Sequence, residues 1–166
     1  MVWFVRSSVG PAGLAAGGIS AGWGTMLNSP HEYGPHWDGF GKRYGMRLTG
    51  VVTGNAMEAS LGAVWGEDPR YPRAGGQPLA ERVRQIVRMT FLARSADGGT
   101  MPAYARYAAI VGSNFLSNAW RVSSEADTQH ALTRIGWGFG GRMASNAFLE
   151  FWPSVRGALG RKHRKP

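Results

Sequence analysis

The sequence predicts an all-α fold, a bundle of four to five helices packed through glycine- and alanine-rich faces. Proline- and glycine-bearing loops separate segments of helical length, and glycine pairs recur at i, i+4 inside those segments. No stretch keeps apolar/polar alternation with β-branched content over about six residues, so no sheet is expected. The 166 residues suit one domain, which can bury roughly 70% of its extended surface without disulfides or metal. Residues 13–157 read as that domain, residues 1–12 as an N-terminal extension and residues 158–166 as a basic tail.

The first helix is expected over 13–26, weakened by its glycines. Residues 28–38, with Pro30, Gly34 and Pro35, read as loop. The second runs over 39–65, and each of its glycines costs about 1 kcal/mol of propensity against Ala. Gly41/Gly45 and Gly50/Gly54 stand at the spacing that lets another backbone come close, or the helix breaks near Gly50. Residues 66–76 are loop. The third helix, 78–95, starts favourably at Pro78 and carries the clearest amphipathic pattern in the chain. Leu79, Val83, Ile86, Val87 and Phe91 form one stripe, with Arg82, Arg84, Arg88 and Arg94 largely off it. Asp97-Gly98-Gly99 supplies the turn that ends it. The fourth spans 102–121. Ser123, Ser124 and Asp127 offer caps for the fifth, which stops at Pro153 and is soft at Gly136–Gly141.

Three helices share a pattern around an asparagine. Asn55, Asn114 and Asn146 each follow two small residues. A large apolar residue stands seven positions before each (Leu48, Tyr107, Phe139) and another two after (Met57, Leu116, Phe148). These offsets keep roughly one helix face. The three amides would either converge on a ligand or bond across packed helices, and packing is the favoured reading.

Nineteen Lys and Arg against ten Asp and Glu give a net charge of +9. Four positive charges lie in the tail, at Arg161, Lys162, Arg164 and Lys165, leaving +5 for the remainder. With Arg82, Arg84 and Arg88, the tail is the candidate anion-binding set. The absence of cysteine excludes disulfides, thiolate catalysis and Cys-based zinc sites. His31-Glu32, His36 and Asp38 have metal-ligand residue types, but the histidines stand at i, i+5 around Gly34-Pro35, and no metal or other cofactor is expected. Gly41-Lys42-Arg43 lacks the spacing and Ser/Thr of a phosphate loop, and Gly136–Gly141 lacks dinucleotide-binding spacing. Glu58, Glu67, Asp68 and Glu150 are the carboxylates available to a hydrolase. An inward Glu58 or Glu150 would need an arginine partner such as Arg43, Arg47 or Arg142. In the 67–71 loop Asp68 is expected to cap a turn and Arg70 to pair with a carboxylate, with Tyr71 beside them. No stretch of about 18 residues is free of polar interruption, and the opening residues lack the basic-then-apolar order of a signal peptide.

Gly39-Phe-Gly-Lys-Arg-Tyr-Gly45, Gly54-Asn55, Glu67-Asp-Pro-Arg-Tyr71, Ser117-Asn118-Ala119 and Glu150-Phe-Trp-Pro153 stand in the same order as in a family the chain resembles over residues 13–155. That family comprises bacterial, mainly acidobacterial, envelope-associated proteins with no assigned activity. The resemblance implies a periplasmic or membrane-associated location and carries over no catalytic residue. The chain departs from the family in its start and at Trp120-Arg121, where the family has paired tyrosines.

The small faces exceed what one small core needs, so the expected function is a non-enzymatic structural or assembly protein that associates with itself, other subunits or a membrane surface. The alternatives are a module for anionic polymers, either nucleic acid or lipid and lipopolysaccharide headgroups, and a carboxylate hydrolase. Nucleic acid is the less favoured partner.

Overall fold

A computed structural model describes residues 2–162. The chain runs α1 (Val2–Val9), α2 (Pro11–Met26), α3 (Trp37–Trp65), β1 (Glu67–Asp68), α4 (Leu79–Phe91), β2 (Leu92–Ser95), β3 (Thr100–Pro102), α5 (Tyr104–Leu116) and α6 (Thr128–Lys162). Short 3-10 turns lie at His31–Tyr33, Ser117–Ala119 and Ser123–Glu125. The fold is predominantly all-α, as expected. Helices neighbour one another in the order α2, α3, α5, α6, α4, and α1 packs on α3. No helix among the described residues is long and apolar enough to cross a membrane.

Local chemistry explains most boundaries. Pro11 starts α2 at the position where a missing N–H costs nothing. The 29 residues of α3 extend about 43 Å unbroken, despite five internal glycine sites between 41 and 62. Gly66, with φ 72°, ends it in a left-handed cap whose N–H returns to the Gly62 carbonyl.

Four boundaries differ from the sequence expectation. Residues 2–9 of the N-terminal extension form α1, anchored by Asn55 Nδ2 donating to Ser8 Oγ at 3.2 Å. The third helix stops at Phe91, and Leu92–Ser95 pairs antiparallel with Thr100–Pro102 and with Glu67–Asp68 in the order β1-β2-β3. A small sheet therefore exists where none was expected. Asp97-Gly98-Gly99 does end an element, but as a hairpin turn in which Gly98 has φ 89°. Strands of two to four residues are too short to show alternation. The fourth helix gives way to a 3-10 turn after Leu116. The fifth runs through Pro153 to Lys162. Proline removes one backbone bond there, yet Arg82 Nη2 grips the Glu150 carbonyl at 2.7 Å and holds this stretch of α6 on α4.

The interior is inverted in character. Among the described residues, six of the nine buried apolar residues are alanines, and the others are Ile86, Met89 and Tyr33. Ten described polar or charged residues are buried beside them, including Arg43, Glu58, Arg106, Asn146 and Glu150. Large apolar side chains lie outside instead, from Ile19 and Met26 on α2 to Trp137 on α6, which is 76% exposed. The amphipathic stripe of α4 belongs to this exterior: Leu79, Val83, Val87 and Phe91 are exposed, and only Ile86 of the stripe is buried.

Of the four glycines expected to allow close approach, only Gly54 does so, and Gly112 on α5 adds a second close contact between α3 and α5. A Cβ at Gly54 would stand 3.2 Å from Ser113 Oγ, and one at Gly112 would stand 2.7 Å from Met57 Cε. Gly41, Gly45, Gly50, Gly140 and Gly141 face open space. Gly39, within the Gly39–Gly45 motif, is the tightest position in α3, because a Cβ there would overlap the carbonyl oxygens of Tyr33 and Gly34. Gly41→Ala and Gly45→Ala are therefore expected to stabilise the fold by about 0.5–1 kcal/mol each, and Gly39→Ala to destabilise it. Urea unfolding of the three variants measures both signs.

Candidate functional site

The central polar node joins four helices. Glu58 on α3 is 6% exposed and Arg106 on α5 is 2% exposed. Arg106 Nε lies 3.0 Å from Glu58 Oε1, and Arg142 Nη2 from α6 reaches the same oxygen at 3.1 Å. Arg106 Nη1 also donates to the carbonyl oxygens of Met89 (2.9 Å), Thr90 (3.0 Å) and Leu92 (3.1 Å). Those are orphan acceptors at the end of α4, so one guanidinium both neutralises a carboxylate and caps a helix. Arg142 further donates to the Pro69 carbonyl. Burial draws the Arg142 pKa down to about 10; Glu58 opposes the shift and Arg106 adds to it. Arg142 still carries its charge at neutral pH, so one carboxylate faces two cations.

A second node centres on Glu150 of α6, also 2% exposed. Its carboxylate accepts from Arg82 Nε at 2.8 Å, Tyr71 Oη at 3.0 Å and the Ala74 amide at 2.9 Å. Burial pushes the Glu150 pKa up, but these donors outweigh it and hold the carboxyl below its ordinary range. Burial raises the Tyr71 hydroxyl, and donation to Glu150 adds to the shift. One turn earlier, Asn146 Nδ2 donates to Thr90 Oγ1 at 3.3 Å.

Other arginines act on backbone. Arg43 donates to the carbonyls of Ser29 (2.9 Å), Pro30 (2.7 Å) and Gly34 (2.7 Å), fixing the loop between α2 and α3. Arg134 bonds the carbonyls of Asn114 (3.1 Å) and Glu125 (2.8 Å) and the Asn118 side chain. Glu67 accepts from the Ala105 amide at 3.0 and 3.1 Å, capping α5. Asp68 accepts from Arg70 N and Nε at 3.0 and 2.9 Å, the local pair expected from the loop. Burial pushes Asp68 up, and the Arg70 bonds more than reverse it.

Above the Glu58 node lies an open groove of about 2420 Å³, bounded by α1 and α2, α3, α5 and α6. Ten arginines and four carboxylates line it, leaving +6. Asn55 and Asn114 border the groove, whereas Asn146 lies apart against α4, so the three amides do not converge. Asn55 and Asn146 bond across helices, and Asn114 bonds its own helix at the Ile110 carbonyl.

The anion-binding candidates fare differently. Arg82 is committed to Glu150; Arg84 is exposed and pairs with Glu81; Arg88 is exposed. The side chains of Arg161 and Lys162, and all of Arg164 and Lys165, lie outside what the structure describes. The positive lining of the groove has no contiguous signature in the sequence, because its arginines are scattered from Arg6 to Arg142. Arg106, inside the alanine-rich segment Tyr104–Ile110, carried a usable signal: an arginine among small apolar residues needs a buried partner. Among the described residues no group of three or more His, Cys, Asp or Glu side chains is placed to hold a metal. Each hydrolase candidate is occupied as an acceptor, Glu58 by two arginines, Glu67 by an amide, Asp68 by Arg70 and Glu150 by three donors.

No protein-family model matches the chain, and neither a curated protein nor a solved structure matches it.

Glu150 gives the site a pH dependence. Its pKa is depressed on folding, so its stabilisation is complete above the unfolded value near 4.5 and is lost as pH falls through the lower folded value. Glu150→Gln is expected to be less stable at pH 7 by about 3 kcal/mol, because Arg82 keeps its buried charge unpaired. The variant should also lose less stability than the parent between pH 5 and pH 3. Thermal unfolding across that range checks both.

Proposed function

We propose that the protein is a non-enzymatic assembly subunit of a bacterial envelope, one that covers its apolar outer faces by self-association at a membrane surface. The single observation that carries this reading is the inversion of burial. Arginines and carboxylates occupy the interior, while Ile19, Met26, Val83, Val87, Leu132 and Trp137 stand exposed on three different helices. Soluble monomers rarely present extended apolar surface, and such surface marks contact with protein or lipid. Leu79, Val83 and Val87 form a stripe on α4 that remains 43–66% exposed, at the spacing that packs helix against helix.

The fate of the carboxylates supports a structural role. A carboxyl that serves as a general acid typically has a raised pKa and a free edge toward a cleft. Asp68 and Glu150 are shifted down instead, and both serve as anchors for loops. The resemblance to envelope proteins carrying the Asp-Pro-Arg-Tyr and Glu-Phe-Trp-Pro elements points the same way. Tyr71 of the first element donates to Glu150 of the second, so the two elements act as one clasp.

Light scattering on the full chain, with and without mild detergent, tests the reading. A defined oligomer in buffer, or a species dispersed only by detergent, is the expected result. Val83→Glu combined with Val87→Glu should then lower the mass of the oligomer or the need for detergent. A strict monomer in plain buffer at high concentration would overturn the proposal.

A further inference from the structure

We propose that the groove between the α1–α2 pair, α3, α5 and α6 binds an anionic amphiphile, a lipid-class molecule whose phosphate-bearing head meets the groove's arginines and whose chains lie along its apolar edge. Charge is segregated in this molecule. The remainder of the chain before the tail holds +5, yet the groove lining alone holds +6. All surfaces outside the groove, taken over the same residues, therefore sum to −1.

Much of that charge is uncommitted. Arg6, Arg73 and Arg94 are exposed and make no side-chain hydrogen bond or ion pair among the described residues. Arg47 reaches only Ser20 Oγ, at 3.2 Å on the surface. Within that total, the buried Glu58 node sets two guanidiniums against one carboxylate, so the floor of the groove is itself net positive. The like-charged tail is a poor occupant for the same reason.

The apolar part of the lining selects among anions. Trp23, Trp137 and Trp152 are exposed in the groove, which would suit stacked bases as well as lipid. Leu27 and Leu149 are exposed in it too. Aliphatic side chains beside arginines match acyl chains below a phosphate, and offer nothing to a base edge. In drawing its ligand from a membrane, this site rests on the envelope reading above.

The test uses the full chain and tryptophan quenching by brominated phosphatidylglycerol vesicles, with brominated phosphatidylcholine as the uncharged comparison. Arg47→Gln with Arg94→Gln removes two groove charges; Arg84→Gln with Arg88→Gln removes two exposed charges outside it. All four side chains are exposed, and circular dichroism verifies that both variants stay helical. The groove variant should bind phosphatidylglycerol about 25-fold more weakly, about fivefold for each arginine, and the outside variant within about twofold of the parent. Glycerol phosphate alone should fail to compete. Equal losses in the two variants, equal quenching by both lipids, or full competition by glycerol phosphate would overturn the proposal. So would groove-dependent binding of a polyuridine oligonucleotide with lipid binding unaffected. Failure of the assembly reading is distinct, because it shows as a strict monomer in buffer, whatever the two variants do on vesicles.

Discussion

The buried pairing of Glu58 with Arg106 is the interaction on which the rest of the structure depends. Arg106 lies on α5, its carboxylate partner on α3, its carbonyl acceptors at the end of α4, and the second guanidinium on α6. Remove Glu58 and two guanidinium charges are left without their carboxylate among alanines, at a cost of about 3–5 kcal/mol. The same contact decides where α4 stops. By taking the carbonyls of Met89, Thr90 and Leu92, Arg106 frees the following residues to leave the helix and join the hairpin.

This mode of construction recurs. Arg43, Arg82 and Arg134 each tie a helix to a loop or to another helix by bonding backbone carbonyls. Guanidinium suits the task, since its planar fork serves several acceptors and its stem packs beside apolar groups. Small residues surround these anchors because a bulky core would leave no space for them. The large apolar residues are thereby displaced to the outside, where the amphipathic stripe of α4 and the tryptophans of α2 and α6 stand exposed. Polar interior and apolar exterior are thus two sides of one packing solution.

Much of the helical framework was legible in the sequence. Proline and glycine punctuation located α2, α3 and the start of α5 to within about two residues, and Arg70 found its carboxylate in Asp68 because the two stand two residues apart. The elements that depend on distant partners were not legible. The strand Leu92–Ser95 continues a helical pattern and exists because Arg106 caps the helix before it. Pro153 reads as a stop, and α6 passes it because Arg82 holds the Glu150 carbonyl from α4. The groove arginines are scattered from Arg6 to Arg142 and gather only when α3 and α5 pack together. Glu58 and Glu150 were recognisable as carboxylates in need of arginine, and Arg142 as one candidate, but Arg106 and Arg82 became visible as partners only in three dimensions.

A double-mutant cycle on Glu58→Gln and Arg106→Met, read by urea unfolding, tests this account most directly. A coupling free energy of about 2 kcal/mol or more is the result it predicts, since each side chain is the principal charge partner of the other. Additivity within about 0.5 kcal/mol would contradict it.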